Sequence, residues 1–250
     1  MNKFRYYSDL HHHGPDFKRS TDHLEICLVA GDCTEFGKKG NELYLMLEEL
    51  CFRFKEVIFV PGNHEYYGTH IGTLERKVRE LMDHVPNFTL LQDGEYVERD
   101  GVRIIGATLW SDTSSIDWEA KNKMNDYRFI RFGPPSEPWK YKLKPMHTTA
   151  LHRQHVYSIE KALEDWEGDS IVITHHAPSN LSLDPKYKGD ILNPAYATEL
   201  ELKKWPNYWI HGHIHRAQNY LHNGCNIICN PGGYYGEYTG FEPLNNYFYL

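Results

Sequence analysis

Short apolar runs alternate along the chain with longer stretches of helical spacing, and the runs mark the strands. Residues 4–8 and 25–30 (EICLVA) read as strands, the second apolar enough to be covered on both faces. Residues 41–54 then set Leu43, Leu47, Leu50, Cys51 and Phe54 on one helical stripe, and residues 56–60 (EVIFV) read as another doubly covered strand. That order is a βαβ unit. A second helix is predicted over residues 74–85, with Thr73 at its N-cap. Residues 95–99 and 102–110 flank Asp100-Gly101, a two-residue signal for a type I′ hairpin, so the sheet structure is mixed. Residues 111–145 carry four prolines and few periodic apolar positions, which predicts a long surface excursion. Helical spacing returns at Val156, Ile159, Leu163 and Trp166. Residues 170–174 read as a strand, 197–205 as a short helix and 208–210 as a strand. Asn223-Gly224 turns a hairpin between residues 219–221 and 226–229, and residues 246–250 close the chain as a strand.

No repeat, low-complexity tract or Gly/Ser linker interrupts this series, so residues 1–250 are expected to form a single α/β domain. At that length folding hides roughly 70–75% of the unfolded surface, enough to stabilise a core without disulfide or metal staples. A metal site in such a chain serves chemistry. Charged residues at 24% and apolar residues at 40% are too mixed for a disordered chain and too polar for one that spans a bilayer. The first residues, MNKFRYYSDLHHH, lack the apolar run of an export signal, which makes the cytoplasm the expected compartment. Five scattered cysteines without a C-x-x-C pair form neither a disulfide framework nor a zinc ribbon. A net charge of −7 argues against a surface that tracks a long nucleic acid, and a small molecule is the expected partner.

The sixteen histidines change the picture through their placement. Five polar clusters each follow a predicted strand: Asp9-Leu-His11, Gly31-Asp32, Gly62-Asn63-His64-Glu65, His175-His176 and Gly212-His213-Ile-His215. Ligands of open α/β sheets bind at the carboxyl ends of strands, so the clusters are expected to converge. Asp and Asn offer hard oxygen and His a borderline nitrogen, a mixture suited to Mn, Fe, Zn, Ni or Co and poor for Ca. In D-x-H and H-x-H the two side chains project to one side of an extended backbone. Singly, each cluster has a bland explanation, since a Gly-Asp pair is ordinarily a turn and a histidine ordinarily a satisfied core or surface group. The ordered set of five requires every bland explanation to hold at once.

In that order the motifs D-x-H, G-D, G-N-H-E, H and G-H-x-H resemble those of the calcineurin-like metallophosphoesterases, across residues 9–215. The resemblance implies an α/β fold of two mixed β-sheets packed face to face as a sandwich flanked by helices, in four layers. It also implies two divalent metal ions at the strand ends. Carried over by motif, Asp9, His11 and His215 would hold the first ion, Asn63, His175 and His213 the second, and Asp32 would bridge both. Paired cations roughly 3.5–4 Å apart can share a carboxylate and a hydroxide that attacks phosphorus in line, while clamping the phosphoryl oxygens. His64 is implied as the general acid beside the leaving oxygen, a role open to an imidazole. Glu65 would either orient it or cap the next turn.

The expected activity is hydrolysis of a small anionic phosphomonoester or phosphodiester, with a nucleotide-like substrate among the candidates. A nuclease on the same centre and a non-catalytic scaffold of the same fold are the alternatives; the acidic balance opposes the first and the full motif set the second. Where the family's protein phosphatases carry an Arg soon after G-D, this chain reads Cys33-Thr34-Glu35-Phe36-Gly37, which disfavours a phosphoprotein substrate. Gly31 and Gly37-Lys38 miss the phosphate-loop spacing, and no G-x-S-x-G is present. Candidates for substrate contact are His12 and His176, next to ligand positions, and Tyr127 and Arg128 in the excursion. Between Lys121 and Lys144 seven basic residues face two acidic ones among five aromatics, a composition open to two readings, a lid for an anionic substrate or a solvated loop. The run Asn230-Pro-Gly-Gly-Tyr234 reads as a turn that could set Tyr234 at the pocket rim, and His152 as a buried histidine on the inner face of its helix.

Overall fold

The computed structural model describes residues 2–11, 25–134 and 136–250. Eleven strands among them form two sheets. Strands β1 (Lys3–Tyr7), β2 (Ile26–Ala30), β3 (Glu56–Val60), β4 (Phe88–Leu90) and β11 (Tyr247–Tyr249) pair in the order β11-β1-β2-β3-β4. Strands β5 (Glu95–Arg99), β6 (Val102–Ala107), β7 (Asp169–Thr174), β8 (Tyr208–His211), β9 (Gln218–His222) and β10 (Cys225–Cys229) pair in the order β5-β6-β7-β8-β10-β9. Both sheets are mixed, with β1 to β4 parallel in the first and β6, β7, β8 and β10 parallel in the second.

Alternation along the strands explains the layers. Ile26, Leu28 and Ala30 of β2, with Ile58 and Val60 of β3, pack against Ile104, Ile171, Ile173, Ile210 and Ile228 of the other sheet. The intervening residues Cys27, Val29, Val57 and Phe59 point the other way, onto Leu43, Leu47 and Leu50 of α1 (Phe36–Arg53) and Leu74 and Val78 of α2 (Leu74–Met82). On the far side Ile105, Val172, Trp209 and Ile227 meet Ile159, Ala162 and Leu163 of α5 (Pro145–Glu164). Strands buried on both faces have no polar positions to spare, hence the uninterrupted apolar runs. Both predicted hairpins turn as expected: Asp100 and Gly101 have φ 49° and 86°, Asn223 and Gly224 49° and 80°.

Three expectations give way. Residues 197–205 form no helix; the chain there is extended, Thr198 N–H donating to the Ala177 carbonyl at 3.2 Å and Leu200 N–H to Pro178 at 3.0 Å, so long-range pairing overrides local spacing. Residues 111–145 are not one loop. They contain α3 (Asp117–Lys123) and α4 (Asp126–Phe129), and Ile116, Ala120, Met124, Tyr127, Ile130 and Leu143 join the core outside the first sheet. Helix α5 starts at Pro145, a residue whose missing N–H costs nothing at a helix start, and so runs eleven residues upstream of the apolar spacing that announced it. Among the described residues no helix is long and apolar enough to cross a membrane.

Candidate metal centre

The carboxyl ends of β1, β2 and β3 in one sheet and of β7 and β8 in the other meet at one edge of the sandwich, and each releases one of the polar clusters. Asp9 and His11 follow β1, Asp32 follows β2, Asn63 and His64 follow β3, His175 follows β7, and His213 and His215 follow β8. The sheets are stitched together here. His175 Nδ1 lies 2.8 Å from the Ala30 carbonyl of the opposite sheet, and the His213 N–H donates to both Asp9 carboxylate oxygens at 3.0 and 3.1 Å.

The backbone turns hard at these points. Asp9, His11, Asp32 and His213 have φ of 51°, 43°, 56° and 64°, a left-handed conformation that side chains other than glycine adopt rarely and at a cost. Glycine is required at Gly62 for a different reason: a Cβ there would lie 2.2 Å from Asp32 Oδ1 and 2.7 Å from His175 Cε1. Glu65 holds the two loops in register. Its buried carboxylate accepts the backbone N–H of Gly62 at 2.7 Å, Asp32 at 2.9 Å and Thr34 at 3.1 Å, so it neither orients His64 nor merely caps its own turn.

Within this frame the side chains converge. Asp32 Oδ2 lies 3.3 Å from His175 Nε2, 3.9 Å from His64 Nε2 and 4.0 Å from His11 Nε2. His11 Nε2 faces His215 Nε2 at 3.1 Å, and Asp9 Oδ1 is 3.5 Å from the same nitrogen. Asn63 Oδ1 is 2.9 Å from His175 Nε2. Ligand-capable atoms thus gather in overlapping groups: Asp9, His11 and His215; His11, Asp32 and His64; Asp32, His175 and His213. The seven residues expected to hold metal are brought together, with His64 beside them.

Electrostatically the cluster has, among the described residues, only its own imidazoles to balance two carboxylates. Asp9 and Asp32 are buried, and among the described residues their ion-pair partners are histidines alone. Burial would depress His175, but Asp32, Asp9 and the Ala30 carbonyl outweigh it and push it up to about 10. Burial likewise opposes His215, yet Asp9 and Glu237 raise it to about 9. Burial wins at His11, pushed down to about 4, and at His213, held well below the ordinary value by burial and by His176 and His175. His213 Nε2 is shut off from solvent and, among the described residues, has no hydrogen-bond partner. Facing imidazole nitrogens, buried carboxylates paired with histidines and a ring nitrogen left without a partner together fit divalent cations held by mixed nitrogen and oxygen donors. Hydrogen bonds to the outer nitrogens, His175 Nδ1 to Ala30 and His215 Nδ1 to Glu237 Oε2 at 2.7 Å, leave Nε2 of each ring for a metal.

A cavity of about 380 Å³ opens onto Asp32, Asn63, His64, His213 and His215. Its outer wall carries Tyr187, Tyr196 and Met124 with Lys123, Lys186 and Arg216. Aromatic rings shelve the histidines. Tyr67 lies 4.4 Å from His64, Tyr196 stacks on His213 at 4.9 Å, and Tyr234 stacks on His11 at 4.3 Å with its hydroxyl 3.3 Å from His64 Nε2.

The substrate-contact candidates fare differently. His12 lies outside the described residues. His176 is buried against Trp110 and His213, with Nδ1 on the Thr108 carbonyl, and does not border the cavity. Tyr127 turns inward to bond Thr148 Oγ1 at 3.0 Å, and exposed Arg128 bonds the Asn122 carbonyl; neither lines the cavity. His152 is buried on the carbonyls of Leu109 and Trp110. Sequence reasoning missed Glu237, Tyr67, Tyr196 and Asp126, none of which lies in a motif.

A family model described as calcineurin-like phosphoesterase matches residues 3–217. An uncharacterized protein, L509, of Acanthamoeba polyphaga mimivirus is 27% identical over 244 residues, covering 91% of this chain and 85% of its own length. Phosphopantetheinyl hydrolase from Mycobacterium tuberculosis has a similar structure, with a TM-score of 0.66 at 17% identity over 95% of this chain and 94% of that one. A dimetal phosphatase from Danio rerio follows at a TM-score of 0.54 and 12% identity, over 92% and 87%. At these identities the two structures speak for the fold.

Proposed function

Because the chain belongs to the calcineurin-like phosphoesterase family and is a metal-dependent phosphoesterase, we propose that it hydrolyses a small phosphomonoester or phosphodiester at a centre of two divalent ions. Asp9, His11 and His215 would hold one ion, Asn63, His175 and His213 the other, and Asp32 would reach both. The observation that carries this reading is the convergence of donors: buried Asp9 and Asp32 stand among histidine nitrogens and the Asn63 oxygen, and Asp32, Asn63, His213 and His215 line one cavity. Divalent ions held there would neutralise phosphoryl oxygens and lower the pKa of an attacking water.

The chain's own side chains do the rest. His64 borders the cavity and is the group placed to give a proton to the leaving oxygen. Its backbone N–H donates to Asp32 Oδ1 at 2.8 Å and its ring packs on Tyr67, so the imidazole is held before substrate arrives. The Tyr234 hydroxyl, facing His64 Nε2, is available to the same oxygen. Tyr187, Tyr196 and Met124 on the outer wall suit a leaving group with a planar or apolar part, of about nucleotide size.

Turnover of p-nitrophenyl phosphate and of its bis ester, with added Mn²⁺ and after chelation, tests the reading. Chelator-sensitive hydrolysis restored by Mn²⁺ is expected; full activity after metal removal refutes it. Asp32→Ala should abolish the rate together with metal binding, whereas His64→Ala should slow turnover at unchanged metal content. Loss of metal in His64→Ala would make His64 a ligand instead.

A further inference from the structure

Helix α4 carries a buried carboxylate that no part of this reading uses. Asp126 is 4% exposed and has no ion pair among the described residues. Its Oδ1 accepts the Asn63 side-chain N–H at 2.8 Å and the Tyr67 hydroxyl at 2.9 Å, while Asn63 Nδ2 also reaches the Tyr67 oxygen at 3.1 Å. A buried acid without a cation is unfavourable, and an amide or apolar residue would fill the same space at less cost. What a carboxylate adds is polarity of one sign. It accepts and does not donate, so the NH₂ face of Asn63 must turn toward it and the carbonyl oxygen must turn away. That oxygen then lies 2.9 Å from His175 Nε2, inside the cluster.

We infer that Asp126 is a positioning residue that fixes the Asn63 amide with its oxygen toward the metal cluster and ties the cavity wall formed by Lys123, Met124 and Asn125 to that cluster. The inference rests on Asn63 being a ligand, as proposed above. With a neutral amide at position 126, Asn63 can bond its neighbour in either orientation, and one of the two presents NH₂ where a donor atom is needed. Groups that orient a ligand in this way commonly contribute about 10–100-fold to metal affinity.

The experiment is Mn²⁺ titration calorimetry on chelator-stripped full-length protein, with the urea midpoint of each stripped variant recorded alongside. Asn63→Ala comes first: if it binds Mn²⁺ like the parent, the ligand assignment fails and the inference with it. Given loss there, Asp126→Asn should keep its urea midpoint and weaken Mn²⁺ binding about tenfold or more, with no additional loss when combined with Asn63→Ala. Binding within twofold of the parent, or an equal extra loss in the Asn63→Ala background, overturns the role while leaving the ligand assignment standing. Should Asp126→Asn fail to fold, the exchange of Asn63→Asp with Asp126→Asn restores an amide–carboxylate pair with an oxygen toward the cluster. The exchanged pair should fold and bind Mn²⁺ more tightly than Asn63→Asp alone, and no gain over that single variant counts equally against the role.

Discussion

Glu65 offers the sharpest test of how the loops are held. Its carboxylate gathers three backbone N–H groups from two loops that are thirty residues apart in sequence, and all three are cut off from water by the surrounding core. Glu65→Ala leaves three orphan donors at roughly 1–3 kcal/mol each, so about 3–9 kcal/mol, against a total stability of about 5–15 kcal/mol for a typical domain. Glu65→Gln is predicted to behave otherwise. An amide oxygen at the Oε2 position keeps the Gly62 and Asp32 donors as neutral bonds and loses only the Thr34 bond, a deficit of about 3–4 kcal/mol. Against that, burial and the Asp32 charge push the Glu65 carboxyl up to about 7, so the amide escapes a charge that its surroundings disfavour.

The two changes therefore separate hydrogen bonding from charge. In stripped protein Glu65→Gln should lie closer to the parent than Glu65→Ala does, with Glu65→Ala at least about 3 kcal/mol below the parent. Urea unfolding followed by tryptophan fluorescence at pH 8 measures both, with an unchanged slope as the check on two-state behaviour. Equal damage from both substitutions would mean that the negative charge itself is required. An Ala variant as stable as the parent would mean that the loops are held by something else, and the three hydrogen bonds would lose their assigned role.

Gly62→Ala should lose Mn²⁺ and stability together, because its Cβ would displace Asp32 Oδ1 and the His175 ring and press on the Asp32 backbone nitrogen at 2.7 Å; metal content by emission spectroscopy and the urea midpoint check it. Glu237→Ala should weaken Mn²⁺ binding about tenfold by releasing the His215 Nδ1–H that sets which nitrogen faces the cluster, and calorimetry at fixed pH reads that loss directly. Away from the centre, Arg5 clasps Glu25 through Nε at 2.5 Å and an Nη at 2.9 Å. Burial opposes ionisation of Glu25, but Arg5 and Lys3 outweigh it and hold the carboxyl below its ordinary value. That contribution is present above about pH 4.5 and is lost as pH falls through the lower folded value. Glu25→Gln should cost about 3–5 kcal/mol at pH 7 by leaving Arg5 buried and unpaired, and should remove part of the acid-side fall in stability that unfolding at pH 3 to 5 records for the parent.

What the sequence disclosed followed from how narrowly physics limits each position. Strands covered on both faces leave no room for polar residues, so β2 and β3 stood out as EICLVA and EVIFV, and the I′ turns at Asp100-Gly101 and Asn223-Gly224 were legible because few pairs tolerate two positive φ angles. The ligand positions were legible for a similar reason, since a cation centre demands nitrogen and oxygen donors at strand ends whatever the substrate. The extended run at 197–205 was hidden because its partners, Ala177 and Pro178, lie twenty residues away and leave no local period. In the 111–145 segment Ile116, Ala120, Met124 and Tyr127 do recur at helical spacing, but the four prolines and seven basic residues around them mask the stripe.

That segment also shows why composition misdirects. Seven basic residues between Lys121 and Lys144 invite a search for phosphate contacts among Tyr127 and Arg128, yet the side chain that reaches the centre from α4 is the acid one position earlier. A cluster built to receive cations repels lysine and arginine from its inner ring and needs oxygen and neutral nitrogen there instead. Farther out the cavity carries both signs, Lys123, Lys186 and Arg216 beside Asp184, Asp190 and Glu237, with Lys186 paired to Asp184 at 3.2 Å. A residue's place relative to the strand ends, not the net charge of its segment, therefore decides whether it can touch the metal ligands.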